Sequence, residues 1–393
     1  MTARAGTSLR RNGGDIARQL WAVLALPIVS IVLALIVGAV LILASELVIP
    51  NKKFDPLLPV TAYSSLVSGA IGSPWTGDFN AIVSTLAFTA PLLLAGLAVG
   101  LGFRAGLFNI GALGQFLMGA LAACWAGLTL RTAPSLIAFP LALLAGAIGG
   151  LIWGGIVGFL KAQRGAHEVV TTIMMNYIAI YVLAALVSGP LKAPRSPNPI
   201  TQDVGAAALP VILPPNGHLG VVIAILAAVF IGWLLFRTTT GFEIRTSGAN
   251  PEAARYAGMR PKRLVILTMS LAGLLAGLAG AGQLLGINHQ LNASYSTTVG
   301  FDGIAVALIG RSNPIGIVAT SLLFGAMRAG AGLMQIKSQI PPELVDVLQG
   351  TIMLFLVAGE VLRRLFGLRG AKGLVHTDTI SSTYASTGEA VQG

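Results

Sequence analysis

Charged side chains are scarce in this chain. They make up 10% of its 393 residues, whereas hydrophobic residues make up 55%, and the mean hydropathy is +0.82. An average soluble domain carries roughly 25% charged residues, so the composition excludes an ordinary soluble protein and indicates one that crosses a membrane repeatedly. The 49 glycines fit this interpretation, because small residues allow helices to pack closely in lipid.

Residues that bind metals or perform catalysis are also few. The only cysteine is Cys124, which excludes an intramolecular disulfide and a cysteine-based metal site. His167 and Glu168 begin a zinc-protease pattern, but Thr171 stands where the second histidine is needed. No Ser–His constellation is in view, and no lysine follows a glycine as a Walker A loop requires. We therefore expect no metal, no cofactor and no enzymatic activity in this chain.

Apolar segments of membrane-spanning type recur along the chain. The first is too long for the core of a typical signal peptide, so we expect an uncleaved span. The eighth is too short to span a bilayer and is expected to be broken or re-entrant. The pattern predicts an all-α polytopic membrane protein with about ten transmembrane helices. The segments lie at about 21–45, 80–102, 107–128, 135–160, 169–189, 219–236, 264–285, 300–312, 314–333 and 344–366.

Two of these segments resemble each other. LLLAGLAVGLG at 92–102 is similar to LAGLLAGLAGAG at 271–282, and each opens a group of about four spans. Transporters are often built from such repeats, although helices rich in Gly, Leu and Ala also resemble one another by chance. The similarity therefore suggests a possible internal repeat.

Lysine and arginine are concentrated in alternate connections between the spans. With the N-terminus in the cytoplasm, 18 of the 25 lie inside, 6 lie outside and one falls within a span. This bias places both termini in the cytoplasm and accounts for the net charge of +11 without a nucleic-acid polymer as partner. Outside, 46–80 is expected along the membrane interface, and the proline-rich stretch 190–218 is expected to be extended. The predicted regions are a basic cytoplasmic N-terminus at 1–20, a transmembrane domain at 21–366 with a cytoplasmic loop at 237–263, and a disordered cytoplasmic tail at 367–393.

The polar loop 237–263 encodes a short helix, GANPEAARYAGM at 248–259. Its asparagine is a good N-cap, and the proline after it suits the first helical position. A glutamate adds negative charge to the first turn, an arginine follows on the same face, and the last glycine is placed to end the helix in a left-handed conformation. A helix this short is marginal alone in water, so we expect a partner surface to hold it. Its residues are Asn250, Pro251, Glu252, Ala253, Ala254, Arg255 and Gly258.

Two further motifs place polar residues among the spans. GLFNIGALGQF at 106–116 indicates either a discontinuous helix that lines a path or a tight turn with incidental amides. EVVTTIMMNYI at 168–178 carries an asparagine that either faces a pore or bonds a neighbouring helix. The candidate residues for a translocation path are Asn109, Gln115 and Asn176.

Charged residues mark the late part of the chain. Asp302 and Arg311 lie in FDGIAVALIGRSNPIGI at 301–317, in which an Asn-Pro pair fits a helix start. Arg328 lies in the next span, where a charge is costly to bury. Three interpretations of Arg328 are open: it marks a cavity, it pairs with an acidic residue, or it lies close to the membrane surface.

Together these motifs resemble the permease subunits of bacterial ABC importers. The best match is the simple-sugar/nucleoside branch of the superfamily that includes ribose-type and branched-chain amino-acid permeases, and the similarity covers nearly all of 20–366. GANPEAARYAGM resembles that family's coupling helix, while GLFNIGALGQF, EVVTTIMMNYI and FDGIAVALIGRSNP resemble further signatures. The chain departs at Leu113, where many nucleoside-branch members have an acid, and at His167, where asparagine is common. Both departures bear on the substrate and leave the coupling role intact.

The resemblance implies a multi-pass permease subunit in the bacterial cytoplasmic membrane that translocates a sugar or a nucleoside. A separate ABC ATPase subunit would engage the coupling helix, a second permease subunit (a paralogue or a copy) would pair with this one, and an extracytoplasmic substrate-binding protein would deliver the solute. One alternative is a stand-alone secondary carrier, which needs a coupling-ion site and leaves the capped helix unexplained. The other is an intramembrane enzyme, for which no paired carboxylates are in view.

Overall fold

Helices dominate the computed structural model, which describes residues 13–48, 54–72, 79–295 and 297–358. Two short strands, β1 at Val211–Leu213 and β2 at Gly217–His218, form an antiparallel hairpin. The helices are α1 Gly13–Val48, α2 Leu58–Ile71, α3 Asn80–Arg104, α4 Ala112–Thr129, α5 Ser135–Arg164, α6 Glu168–Ser188, α7 Gly220–Arg237, α8 Thr239–Ala249, α9 Pro251–Tyr256, α10 Pro261–Gln283, α11 Val299–Ile309, α12 Pro314–Ser338 and α13 Glu343–Val357.

Eight of the described helices are long and apolar enough to cross a membrane, namely α1, α3, α4, α5, α6, α7, α10 and α12. The short eighth segment of the sequence is α11, with 11 residues, and the tenth is α13 as far as the described residues extend. The prediction of an all-α polytopic membrane protein is confirmed. The predicted tail at 367–393 and the first twelve residues lie outside the described part, and α1 already begins at Gly13.

The stretch expected along the membrane interface contains a packed helix, α2. The Tyr63 hydroxyl donates a hydrogen bond to the carbonyl of Leu35 in α1 at 2.7 Å. Gly69 lies against Gly330 of α12, where a side chain on either glycine would clash with main chain. The sequence did not predict this helix because its polar residues alternate with apolar ones. In the structure, its serine and threonine hydroxyls donate hydrogen bonds to main-chain carbonyls of the helix itself, so these polar residues need no solvent.

The two segments that resemble each other in sequence lie in α3 and α10, which exchange neighbours in the packing. Gly96 of α3 approaches Val306 of α11, and α3 also packs along α12. In the same way, the glycines of α10 approach the main chain of α4 and α5, as Gly277 does at Gly150. Each of the two similar helices therefore packs against the two spans that follow the other, and the two run in opposite directions. The internal repeat itself stays a prediction.

The bundle has two distinct ends. We call the end that carries α8 and α9 the coupling end, and the end that carries residues 190–218 the cap end. The cap-end segment pairs its main chain with the far end of α10, where Leu209 N–H donates to Leu285 O at 2.8 Å and Val204 N–H donates to His289 O at 3.0 Å. The basic residues assigned to the cytoplasm by sequence, including Arg104, lie at the coupling end wherever the structure describes their contacts.

Candidate functional site

The short helix predicted in the polar loop is α9, and its start is capped as expected. The Oδ1 atom of Asn250 accepts hydrogen bonds from the N–H groups of Glu252 and Ala253, both at 3.0 Å. Pro251 occupies the first helical position, where an N–H would have no partner. The Asn250 carbonyl accepts from Ala254 N–H at 3.1 Å, which closes the first turn.

The end of α9 is equally defined. Gly258 adopts φ +83°, the left-handed conformation that favours glycine, and its N–H donates to Arg255 O at 3.0 Å. Met259 N–H donates to Ala254 O at 3.0 Å, so the chain turns sharply before α10 begins. The predicted role of Gly258 in ending the helix is confirmed.

Most of the surface of α9 is exposed to solvent. Ala254 is the single residue of this helix that is buried, while Glu252, Ala253 and Arg255 are exposed. Tyr256, which the sequence reasoning did not select, is 92% exposed at the end of the helix. Exposed aromatic residues at a protruding tip are typical anchors of protein interfaces. The arrangement is a rigidly capped helix that presents almost all of its side chains outward.

Behind α9, the helix α8 is wedged against the end of α3. A Cβ on Gly248 would lie 2.5 Å from the carbonyl oxygen of Arg104, and Gly106, with φ +67° in the turn after α3, faces the same contact. Arg104 also donates from Nε to Ser312 O at 2.8 Å, in the turn that joins α11 and α12. The end of α3 therefore contacts both α8 and the turn between α11 and α12.

A second link at the coupling end is aromatic. The guanidinium carbons of Arg104 and Arg245 lie 5.8 and 5.2 Å from the ring centroid of Phe236, the penultimate residue of α7. Both distances fall within the range of cation–π attraction. The ends of α3, α7 and α8 are thus joined around one ring.

The three amides predicted to line a path lie close together at the start of α4. Asn109 and Gln115 bond each other through Nδ2 to Oε1 at 3.1 Å and through Nε2 to Oδ1 at 3.3 Å. Asn176 of α6 accepts from Gly114 N–H at 2.8 Å and donates to Ile110 O at 3.1 Å. All three are buried with hydrogen-bond partners, so in this conformation they join α4 to α6. Their assignment to a translocation path stays a prediction.

The charge inside the ninth predicted span has a partner. Arg328 Nη1 lies 3.1 Å from Asp302 Oδ2, and the Thr298 hydroxyl donates to the same oxygen at 2.7 Å. Of the three interpretations left open by the sequence, the structure shows pairing with an acid. Asp346 of α13 is near enough to interact electrostatically with both members of the pair.

The chain is similar in sequence to known transport permeases over most of its length. The family model described as branched-chain amino acid transport system / permease component matches residues 81–357. The chain is 36% identical to the guanosine ABC transporter permease protein NupP of Bacillus subtilis, over 89% of this chain and 97% of the relative. It is 34% identical to the nucleoside ABC transporter permease protein NupB of Lactococcus lactis, over 86% and 91%. It is 31% identical to the glucose ABC transporter permease protein TsgB13 of Haloferax volcanii, over 88% and 90%.

Proposed function

The chain belongs to the branched-chain amino acid transport permease family as a permease subunit of an ABC importer, and we propose that it carries a nucleoside or a simple sugar across the bacterial cytoplasmic membrane. Two relatives are named for guanosine or nucleosides and a third for glucose. These solutes share hydroxylated rings without net charge. A binding protein outside the membrane delivers the solute, and a second permease subunit completes the transporter.

The observation that carries the proposal is the exposed, capped helix α9. A six-residue helix has too few internal hydrogen bonds to be stable in isolation, yet this one has both ends capped and only Ala254 packed inward. Such a helix is suited to a cleft on another protein. We assign Asn250, Pro251, Glu252, Ala253, Ala254, Arg255 and Gly258 to contact with a separate ATPase subunit, and we add Tyr256 to this set.

Motion of α9 reaches the bundle by two routes. The chain continues from α9 into α10, which extends to the cap end, and α8 bears directly on the end of α3 through Gly248. Since α3 packs against α11 and α12 while α10 packs against α4 and α5, a tilt of α9 acts on both groups of helices. ATP hydrolysis by the partner would in this way change which end of the path is open.

The charge distribution supports the orientation that we propose. Basic residues on four different connections lie at the coupling end, which we place in the cytoplasm together with both termini. The cap end then faces outward. Its hairpin exposes Val211, Ile212 and Leu213 on the side from which a binding protein would approach.

The amides Asn109, Gln115 and Asn176 remain our candidates for one polar part of the path. In this conformation they satisfy one another and the main chain, and a relative movement of α4 and α6 would free them. Freed amides would offer donors and acceptors to the hydroxyls of a passing solute.

The test is ATP-dependent uptake of radiolabelled guanosine and glucose, together with recovery of the ATPase on the tagged chain. Ala254→Pro removes the N–H that donates to Asn250 and disrupts α9, so we expect both uptake and ATPase recovery to fall at least tenfold while membrane insertion persists. Ala254→Gly keeps that N–H and is the matched control. Normal uptake by the proline variant, or transport by the purified chain alone without ATP, would instead support a secondary carrier.

A further inference from the structure

Charged side chains lie well inside the membrane-spanning part of this protein. Arg328 is 14 residues after the start of α12, which places its Cα about 21 Å from the coupling end at 1.5 Å per residue. Asp302 is paired with it from α11, and the turn after α11 is held at the coupling end by Arg104. Asp302 is seven residues before the end of α11, about 10 Å from the same turn, so the pair lies about 10–20 Å from the coupling end, in the central part of a hydrocarbon core about 30 Å thick.

These charges are also open to the exterior of the chain. The Arg328 side chain is 26% exposed and that of Asp302 is 13% exposed. Thr298 and Tyr295 are half-buried beside the pair. Asp346 is exposed three residues after the start of α13 and extends the acidic side of this face toward the cap end. Lipid offers no hydrogen bonds, and a charged group at this depth costs several kcal/mol, about 2.5–3.5 on insertion scales. The face that carries these residues is therefore turned away from lipid.

The helix α12 also has an exposed side that consists of apolar residues, as expected for contact with lipid. Ile315, Val318 and Leu322 are exposed and entirely apolar, and they lie on a different side of the helix from Arg328. Helical spacing of 100° per residue places Arg328 about 120° away from Leu322. The helix α12 thus has an apolar side suited to contact with lipid and a charged side that is not suited to it.

We infer that Tyr295, Thr298, Asp302, Arg328 and Asp346, which we call the polar wall, line the translocation path and contact the hydroxyl groups of an uncharged sugar or ribosyl ring. The inference rests on the proposed function as an importer permease. It concerns a surface distinct from the amides at the start of α4.

The chemistry of the polar wall suits such a solute. A guanidinium has five N–H donors, and the described contacts use one of its nitrogens for Asp302. The Asp302 carboxylate is held by the Thr298 hydroxyl, so its remaining lone pairs have a fixed direction. Adjacent donors and acceptors match vicinal hydroxyls, which can donate and accept at the same time. The wall has one guanidinium and two carboxyl groups, so it has no excess of positive charge that would favour an anionic solute.

The break between α10 and α11 explains how these groups come to lie at this depth. α10 ends in a π-helical turn at Leu284–Asn288, and the chain then runs without helix until α11 begins at Val299. Interrupted helices within a membrane occur where the chain lines a cavity rather than lipid. Thr298 and Asp302 lie at the start of the second piece.

The experiment measures thiol accessibility in the assembled importer. Cys124 is the only cysteine and is buried, so Cys124→Ala provides a background without reactive thiols. Single cysteines are introduced by Thr298→Cys and Asp346→Cys, with Leu322→Cys as the matched control on the apolar side of α12. A membrane-impermeant charged maleimide is applied from outside, with and without saturating guanosine or glucose. A thiol must ionise to react, which water permits and lipid does not.

We expect the two polar-wall cysteines to be labelled at least tenfold faster than Leu322→Cys in one nucleotide state of the importer, and solute to slow their labelling. Equal rates at all three positions, or fast labelling that solute leaves unchanged, would overturn the inference. ATP-dependent uptake by the unmodified importer is measured in the same membranes, so a failure of the proposed function is detected separately.

Discussion

Loss of the Asn250 cap is expected to weaken the ATPase complex. Asn250→Ala removes the oxygen that accepts from both Glu252 and Ala253. Loss of such a cap costs about 0.5–2 kcal/mol, and α9 has only six residues over which to absorb it. If the ATPase binds the ordered helix, this cost appears as a loss of affinity of roughly 2- to 30-fold, at about 1.4 kcal/mol per factor of ten.

The assay is equilibrium binding of the purified ATPase to the chain in nanodiscs, combined with uptake in cells. Asn250→Asp retains a capping oxygen and should bind within about threefold of the unmodified chain. Asn313→Ala is a matched control, because Asn313 caps α12 through Ile315 N–H at 3.0 Å and is likewise followed by proline. That helix has 25 residues held by packing, so the same loss should leave ATPase binding unchanged.

Two results would refute this reasoning. Binding by Asn250→Ala that equals that of the unmodified chain would mean that the partner does not depend on the order of α9. Equal weakening by Asn250→Ala and Asn313→Ala would mean that cap loss acts through general destabilisation of the coupling end.

Three further outcomes are expected from the packing. Gly248→Ala places a methyl group 2.5 Å from the main chain of α3 and should lower stability by about 1–3 kcal/mol in thermal unfolding, whereas Gly332→Ala, with open space around it, should have little effect. Asn176→Ala leaves two main-chain groups without a side-chain partner, at about 1–3 kcal/mol each, and a melting temperature equal to that of the unmodified chain would contradict its bridging role. Burial and the nearby His289 lower the pKa of His218 from 6.5 to about 4, so the unfolded chain binds a proton at this position before the folded chain does as the pH falls. The stability of the cap end should therefore decrease as the pH falls from about 6.5 to about 4 and should not change above about pH 6.5. His218→Gln should remove this pH dependence, as measured by hydrogen exchange of the cap-end amides.

The helices and the cap of α9 could be predicted from sequence because their causes are local. Twenty apolar residues in succession, or an asparagine followed by proline, have the same meaning in almost any surroundings. The helix α2 was missed for a related reason. Its polar residues bond within the helix, and its burial depends on Gly330, more than 250 residues away along the chain.

The site residues also divide into those with local causes, which the sequence predicts, and those that depend on distant residues, which it does not. The sequence selected Asn250 and Gly258 through their positions in a motif, and the structure confirms their conformations. It did not select Tyr256, because a tyrosine inside a short motif carries no signal of exposure. Asn176 was read as pore-facing or bridging, and only the distance to Gly114 shows the bridge.

By itself, then, the sequence determined the class of protein, the approximate positions of the long apolar helices, the short capped helix and the family, since each depends on composition or on residues close together in the chain. Only the tertiary structure decided that α3 and α10 exchange partners, that Arg104 joins three helix ends, and that Arg328 pairs with Asp302. These features depend on which side of each helix meets which neighbour. Glycine contacts and charge pairs between distant segments determine this packing, and it cannot be predicted from residues that are close together in the sequence.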